Sequence, residues 1–528
     1  VALRFFYLQA NKASGLKGQP MGAKGKVYLV GAGPGDPGLL TRRGAELIAL
    51  ADVIISDALV NPALLALAPE SCKIIFAGKR SKLHVIPQEE LNELLVGYAR
   101  EGKTVVRLKG GDPFLFGRGG EEAESMALSE VPFEIVPGVT SISAVPAYAG
   151  IPATHREHCS SITVLTGHEQ PDKPNSTIDW EHVAHESGTK IILMGIERLR
   201  SIVDRLRENG LKMETPAALV RWGTTSQQET LTGTLADIAD KAEQANFCAP
   251  AVIIIGSVVN LRKSLNWFEG RPLLGQRVVL TRAAAQAGEL NKRLTELGAE
   301  VLEIPTIRIV EPDDKGPLKD VLLGLRLYQW LIFTSTNGVD QFFNYFFKGF
   351  DDLRDLGGCR IAAVGSATAA KLKAMRLKVD LMPNEYTTEG VARAFQDSDQ
   401  FSIENENIAL LRAQVANPEL PRALESIGAI VDDVPVYKTV PETEDRDGVV
   451  ADFNKNGADW VTFTSSSAVE NFDLRFGLGV AVKNHKLKVA SIGPETTKAL
   501  MKLGVSPELE ANPHNISGLV EALREHIH

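Results

Sequence analysis

At 528 residues the chain is long enough for roughly three or four domains of about 150 residues each, so more than one site is expected. Its composition, 44% hydrophobic and 23% charged, fits folded α/β domains and argues against long disorder. A net charge of -9 excludes a general nucleic-acid or anionic-membrane surface, because attraction to phosphate needs a basic face.

Residues 1–24 read as a tail, with Met21 as the native start. The apolar patch in VALRFFYLQ is too short for a signal-peptide core, and no run of membrane length follows. Cys72, Cys159, Cys248 and Cys359 form no CxxC pair, so neither a disulfide framework nor a zinc ribbon is expected, and a reducing cytoplasm is the simplest compartment.

From Lys26 onward, short apolar β-rich runs alternate with helical stretches, the pattern of a parallel sheet with crossover helices. Five strands are predicted: KVYLV (26–30), DVII (52–55), KIIF (73–76), TVVRL (104–108) and FEIV (133–136). Between the third and fourth, Leu91, Leu94, Leu95 and Tyr98 recur at helical spacing behind Pro87. The segments leaving the strands are GAGPGD, SDALV, AGKR, KGGDPF and PGVTS. In an open parallel sheet the carboxyl ends share one edge where ligands bind, so these loops should converge on one site.

GAGPGD is not a dinucleotide fingerprint, since Asp36 stands where the third glycine belongs and Pro34 removes a backbone donor. GYAREGKT (97–104) matches the GxxxxGK[ST] spacing but runs from a helix into a strand, the wrong direction for a phosphate loop. His155, His158 and Cys159 in HREHC lack a second close pair, with His168 the nearest addition, so no metal is expected. Asp57 and Lys79 lie just beyond the second and third strands, where a carboxylate and an amine suit proton transfer. Asp112 and Arg118 crowd with Phe114, Leu115 and Phe116 in one loop after the fourth strand.

A second set of strands, SITVLTGH (161–168), TKIILMGI (189–196), AALVRWG (217–223) and APAVIIIGSV (249–258), is expected to form a lobe that closes this cleft. A polar Pro/Gly stretch, SLNWFEGRPLLGQ (264–276), marks a boundary near Gly270. Beyond it lies an internal repeat with a spacing of about 130 residues: 277–308 aligns with 407–438, 330–343 with 460–472, and 360–372 with 488–500. Two similar α/β lobes are expected there.

GAGPGDPGLLT, DALV, AGKR, IPQEE, VVRLKGGDPFLFGRGGEE, VPGVTS and TGH together resemble the uroporphyrinogen-III C-methyltransferases of the tetrapyrrole methylase family, over residues 25–262. The resemblance implies a two-lobed methylase that binds S-adenosylmethionine, releases S-adenosylhomocysteine, needs no metal and forms a homodimer. It implies cofactor contacts at Pro34, Gly110, Gly111, Asp112, Leu115, Thr140, Ser141, Met194 and Gly223. Asp57 would accept a proton and Lys79 donate one, as uroporphyrinogen III is methylated at C2 and C7 to precorrin-2. Arg107, Lys109, Arg118, Lys79 and Arg80 would pair with substrate carboxylates.

After a linker at 263–275, residues 276–528 resemble uroporphyrinogen-III synthase through VVLTRA, FTSTNGV, VGSATA, YTTEGV, VPVYKTV, FTSSSAVE, SIGPETT and NISGLVEAL. The resemblance implies a two-lobed α/β unit that cyclises hydroxymethylbilane with loss of water. Thr334, Ser335, Ser366, Ser465, Ser466 and Thr496, with Asn337, are the candidate substrate contacts, and Tyr437 the candidate aid to hydroxyl departure. Helix capping is the competing reading of these hydroxyls. A small-anion sensor in the C-terminal half, or a methylase of another tetrapyrrole, RNA or protein side chain, stays open at this level. Sirohaem and cobalamin synthesis are the downstream routes the product could feed.

Overall fold

The computed structural model describes residues 25–78, 86–167, 178–281, 284–385, 388–398, 400–445 and 448–527. Lys79, Arg80, His168 and the start of the YTTEGV run lie outside them.

All five predicted N-terminal strands form: β1 (Lys26–Gly31), β2 (Val53–Ser56), β3 (Lys73–Phe76), β4 (Thr104–Lys109) and β5 (Phe133–Val136). They make one wholly parallel sheet in the order β3-β2-β4-β1-β5. Alternate residues of β1 explain why both faces are covered. Val27 and Leu29 pack with Leu91, Leu95 and Met126 on one side, while Val30 packs with Leu47, Ile48 and Leu64 on the other. The helix Gln88–Arg100 starts behind Pro87 as its spacing predicts.

A second sheet comprises β6 (Ile162–Thr166), β7 (Thr189–Leu193), β8 (Pro216–Arg221), β9 (Glu229–Thr234) and β10 (Ala251–Ile255), ordered β6-β7-β10-β8-β9. It is mixed. β6 and β7 are parallel, whereas β10 runs antiparallel to both β7 and β8, and β9 to β8. Strands β6, β7 and β8 therefore point the same way and end on one edge. β9, ETLTGT, was not expected, because its polar, half-exposed residues at the sheet edge carry no apolar alternation.

The stretch expected as a linker is packed. Phe268 and Leu273 are buried, and Leu273 belongs to the same core as Val278 and Leu280. Glu269 accepts from Gln228 Nε2 (2.8 Å) and pairs with Arg262. Tyr148, Trp267 and Phe268 form an aromatic cluster with centroids 4.8–5.4 Å apart, and Arg271 lies over Trp267 and Phe268.

Two further five-stranded sheets use β11 (Arg277–Leu280), β12 (Glu300–Glu303), β13 (Ile307–Val310), β14 (Trp330–Phe333), β15 (Arg360–Ala363), β16 (Asn407–Ala413), β17 (Ile430–Pro441), β18 (Trp460–Phe463), β19 (Lys488–Ser491) and β20 (Leu509–Glu510). Their orders are β12-β11-β18-β19-β20 and β13-β17-β16-β14-β15. The chain divides accordingly into two compact units, Val1–Ile304 with Glu444–His528, and Pro305–Thr443.

This division corrects the expectation that each repeat copy is a lobe. The first copy gives β11 and β12 to one sheet and β14 and β15 to the other, and the second copy completes each. β11 pairs with β18 and β14 pairs with β16, both in parallel. The repeats exchange halves.

Candidate functional site

The loops at the carboxyl ends of β1, β4 and β5 meet backbone to backbone. A Cβ on Gly138 would lie 2.2 Å from the Gly111 carbonyl oxygen, and one on Gly31 would lie 2.5 Å from the Gly138 Cα. Gly33 and Gly111 exchange backbone hydrogen bonds of 3.3 and 2.7 Å. Both have positive φ, +78° and +65°, a conformation that glycine adopts without steric cost. At Gly111, in contrast, the nearest atom to an added Cβ is the Ser141 nitrogen at 4.0 Å, and at Gly110 it is Leu59 at 3.6 Å. The loop is thus closed on its β1 and β5 side and leaves room beside Gly110 and Gly111.

Two aspartates brace this cradle. Asp112 accepts from Phe114 N (2.8 Å) and from Gly138 N (3.0 Å), tying the β4 loop to the β5 loop. Asp36 accepts from Gly38 N and from the Tyr148 hydroxyl, both at 2.7 Å. Burial and that hydrogen bond raise the Tyr148 pKa. The glycine turn thus enters a short 3-10 turn, Pro37–Leu39, before the helix capped by Thr41.

The second lobe reaches the same place through the turn after β8. Asp36 N donates to Thr224 Oγ1 at 3.1 Å, and a Cβ on Gly35, next to Pro34, would lie 2.6 Å from Thr225 Cγ2. Gly223 backs onto Val145 of the helix Ser141–Tyr148, leaving no space for a side chain. Thr140 caps that helix by accepting from Ile142 N. The structure therefore gathers Pro34, Gly110, Gly111, Asp112, Thr140, Ser141 and Gly223. Met194 has positive φ and is half exposed beyond β7, on the edge shared with Gly223. Leu115 projects with Phe114 and Phe116 as an exposed apolar run.

Asp57 follows β2, and its carboxylate pairs with the Arg107 guanidinium from β4. Arg107 is 3% exposed; its Nη1 donates to the Ile55 carbonyl (3.2 Å) and its Nε to Glu122 Oε1 (3.1 Å). Lys109 Nζ reaches the same Glu122 oxygen at 2.9 Å. Burial lowers the Lys109 pKa, and the adjacent Arg107 charge adds to that shift.

These contacts correct the assignment of Arg107 and Lys109 to substrate carboxylates: both are buried and engaged within the protein. Arg118 remains exposed and pairs with Glu121 at 2.6 Å. An exposed pair of this kind is worth about 0–1 kcal/mol, so it yields readily to a competing carboxylate. Glu122 escaped the sequence reading. Its signal was a carboxylate in line with Ala123 and Met126 on the buried face of the helix Gly119–Leu128.

GYAREGKT does run from a helix end into β4. HREHC is a tight turn, with Cys159 Sγ 3.0 Å from Thr189 Oγ1 and His158 Nδ1 3.1 Å from Ser257 Oγ. Among the described residues no group of three or more His, Cys, Asp or Glu could hold a metal ion, and no helix is long and apolar enough to cross a membrane.

The C-terminal candidates fall into two groups, each at the carboxyl edge of its own sheet. In the Pro305–Thr443 unit, Thr334 and Ser335 follow β14, and Ser366 opens the helix after β15. Ser335 caps the helix Thr336–Gly349, and its hydroxyl meets that of Tyr437 at 3.0 Å. In the other unit Ser465 caps the helix Ser466–Phe476, Ser466 donates to the Glu495 carbonyl at 3.0 Å, and Thr496 is buried. Capping thus accounts for Ser335 and Ser465. Ser366 caps nothing, as Gly365 holds that position, and Ser366 is exposed.

Comparison with known proteins matches the chain in two consecutive parts. Residues 26–239 match the family model of tetrapyrrole (corrin/porphyrin) methylases, and 288–521 that of uroporphyrinogen-III synthase HemD. The chain is 36% identical over 501 residues to the porphyrin biosynthesis protein HemD of Ruminiclostridium josui, covering 95% of this chain and 98% of that protein. It is 51% identical over 244 residues to an S-adenosyl-L-methionine-dependent uroporphyrinogen III methyltransferase of Methanosarcina barkeri, covering 46% and 96%. The crystal structure of uroporphyrin-III C-methyl transferase from Thermus thermophilus complexed with S-adenyl homocysteine shares 37% identity and a TM-score of 0.39, covering 45% of this chain and 100% of that one.

Proposed function

The chain belongs to the family of porphyrin biosynthesis proteins that join a tetrapyrrole methylase to a uroporphyrinogen-III synthase, and on that premise we propose how its residues share the work. The enzyme is bifunctional. Its C-terminal half closes hydroxymethylbilane to uroporphyrinogen III with loss of water, and its N-terminal half methylates that product at C2 and C7 to precorrin-2, which feeds sirohaem and cobalamin synthesis.

The convergence of the β1, β2, β4 and β5 ends carries the methylase reading. S-adenosylmethionine supplies an activated methyl group. The open backbone at Gly110 and Gly111 fits such a ligand, with Pro34, Asp112, Leu115, Thr140, Ser141, Met194 and Gly223 completing its surroundings. Each transfer leaves a cationic ring system that must lose a proton, and Asp57, at the carboxyl end of β2 and one-third exposed, is the acceptor. Lys79, outside the described residues, is assigned as donor. Arg118 exchanges Glu121 for a substrate carboxylate, which lets an acidic protein hold a polyanion locally.

In the synthase half, Thr334, Ser335, Ser366, Ser465, Ser466 and Thr496 offer hydroxyl and helix-start donors to carboxylates, and the Tyr437 hydroxyl assists departure of the substrate hydroxyl. We place the chain in a reducing cytoplasm, the compartment its scattered cysteines suit, and take it to associate as a homodimer through the methylase half, as the resemblance implies.

Incubating the full chain with hydroxymethylbilane and S-adenosylmethionine tests the whole scheme. A dimethylated product, heavier than uroporphyrinogen III by two CH2 equivalents because each added methyl is balanced by a lost proton, is expected, whereas unmethylated uroporphyrinogen III as the end product would overturn the methylase reading.

A further inference from the structure

Glu122 is fully buried, yet its hydrogen bonding is lopsided. Oε1 accepts from Arg107 Nε (3.1 Å), Lys109 Nζ (2.9 Å) and Gln88 Nε2 (3.2 Å), while Oε2 has no hydrogen-bond partner among the described residues. A buried carboxylate with one bare oxygen is a poor device for stability, since its desolvation offsets much of what its ion pairs return. Something other than stability accounts for it better.

Arg107 connects this group to the site. Its Nη1 is fixed by the Ile55 carbonyl, with a longer contact to that of Leu108 at 3.4 Å, its Nε by Glu122, and its Nη2 reaches Asp57. A guanidinium is planar, so anchors on Nε and Nη1 determine where Nη2 points. Asp57 is about one-third exposed and is held at Oδ1 by that nitrogen. Lys109, the second buried cation, shares the Glu122 oxygen, so two carboxylates face two cations within the cluster.

We infer that Glu122 is a positioning residue for methyl transfer, acting on Asp57 through Arg107. The inference rests on the reading of Asp57 as proton acceptor. Glu122 touches neither ligand; it orients the guanidinium, and the guanidinium aims the carboxylate.

The test is a double-mutant cycle on the full chain, with methylation of supplied uroporphyrinogen III as readout. Glu122→Gln is expected to lower kcat about tenfold or more, a part of the roughly 10²–10⁴-fold that positioned proton transfer supplies, with KM for S-adenosylmethionine unchanged. In an Asp57→Asn background the same change should alter the residual rate less than about twofold, because two residues acting in series do not add. Glu122→Gln leaves an excess buried cation, so Lys109→Met/Glu122→Gln, which restores charge balance, is the second variant. It should fold, with the cyclisation rate unchanged; its methylation should stay slow in the Asp57 background, and in the Asp57→Asn background it should alter the residual rate less than about twofold.

Equal losses in both backgrounds, or no loss from Glu122→Gln, overturn the inference while leaving the Asp57 reading intact. An Asp57→Asn enzyme as fast as the wild type overturns both, so the two failures are distinguishable.

Discussion

The hydroxyl of Tyr437 lies 3.0 Å from that of Ser335, linking β17 to the first turn of the helix behind β14. Ser335 simultaneously caps that helix by accepting from Gly338 N at 3.0 Å. The pair therefore joins a side chain assigned to chemistry with one whose structural work is visible. Tyr437→Phe should slow hydroxymethylbilane consumption by about tenfold or more, yet destabilise the fold by only about 0.5–1.5 kcal/mol, since the cap survives. Ser335→Ala should cost about 0.5–2 kcal/mol through the lost cap. Cyclisation rates with parallel thermal melts separate the two.

Asp57→Asn keeps the size and the hydrogen bond to Arg107 but cannot take a proton. Methylation of supplied uroporphyrinogen III should fall by about 10²–10⁴, with cyclisation by the other half unaffected. Steady-state rates for the two reactions on one preparation decide this.

Gly111 and Gly138 should respond differently to the same change. Gly111→Ala meets open space but a positive φ, so about 1–2 kcal/mol of strain and a raised KM for S-adenosylmethionine are expected, as the methyl enters the cradle. Gly138→Ala drives a carbon to 2.2 Å from a carbonyl oxygen and should prevent the loops from meeting at all. Calorimetry and S-adenosylhomocysteine titration of both variants would expose an error in either assignment.

Acid should loosen the frame of the cleft at one place in particular. Glu134 on β5 accepts from Lys26 on β1 at 2.7 Å and from Arg43 at 3.2 Å, and the Lys26 hydrogen bond chiefly holds its carboxyl below the ordinary value of 4.5, with both nearby cations adding to the effect. The folded state binds this proton more weakly than the unfolded chain does. The contribution is therefore present above pH 4.5 and lost as pH falls below it toward the folded-state pKa. Glu134→Gln should flatten that part of the stability curve and cost up to about 1 kcal/mol at neutral pH; urea midpoints across the acid range measure it.

Much of the site was legible because its determinants are local. Apolar runs such as KIIF and TVVRL followed by glycine turns announce buried strands and their ends, and a parallel sheet then forces Asp57 and Gly111 to the same edge. What stayed hidden depends on tertiary pairing. ETLTGT forms β9 by bonding to β8, with little apolar signal of its own. SLNWFEGRPLLG reads as a polar linker, yet Phe268 and Leu273 are core residues. Arg107 and Lys109 looked like cations offered to a polyanion, and only the burial of Glu122 shows where their charge goes. The repeat was visible at once, but its alignment says which segments are alike, not which ones pair.

That crosswise pairing has a consequence for how the protein comes into being. A chain made from its N-terminus exposes β11 and β12 long before β18 exists: Val278 pairs with Trp460, and everything from β13 to β17 is synthesised in between. The methylase sheets lie wholly upstream of this gap and can close while the next strands still wait with an open edge. Such an edge invites pairing with other chains. The packed Phe268–Leu273 segment and the Glu300 contact to Gln227 (3.0 Å) place a finished neighbour beside β11 and β12 during that interval. A finished upstream domain would then shield the waiting strands of the enzyme that supplies its substrate.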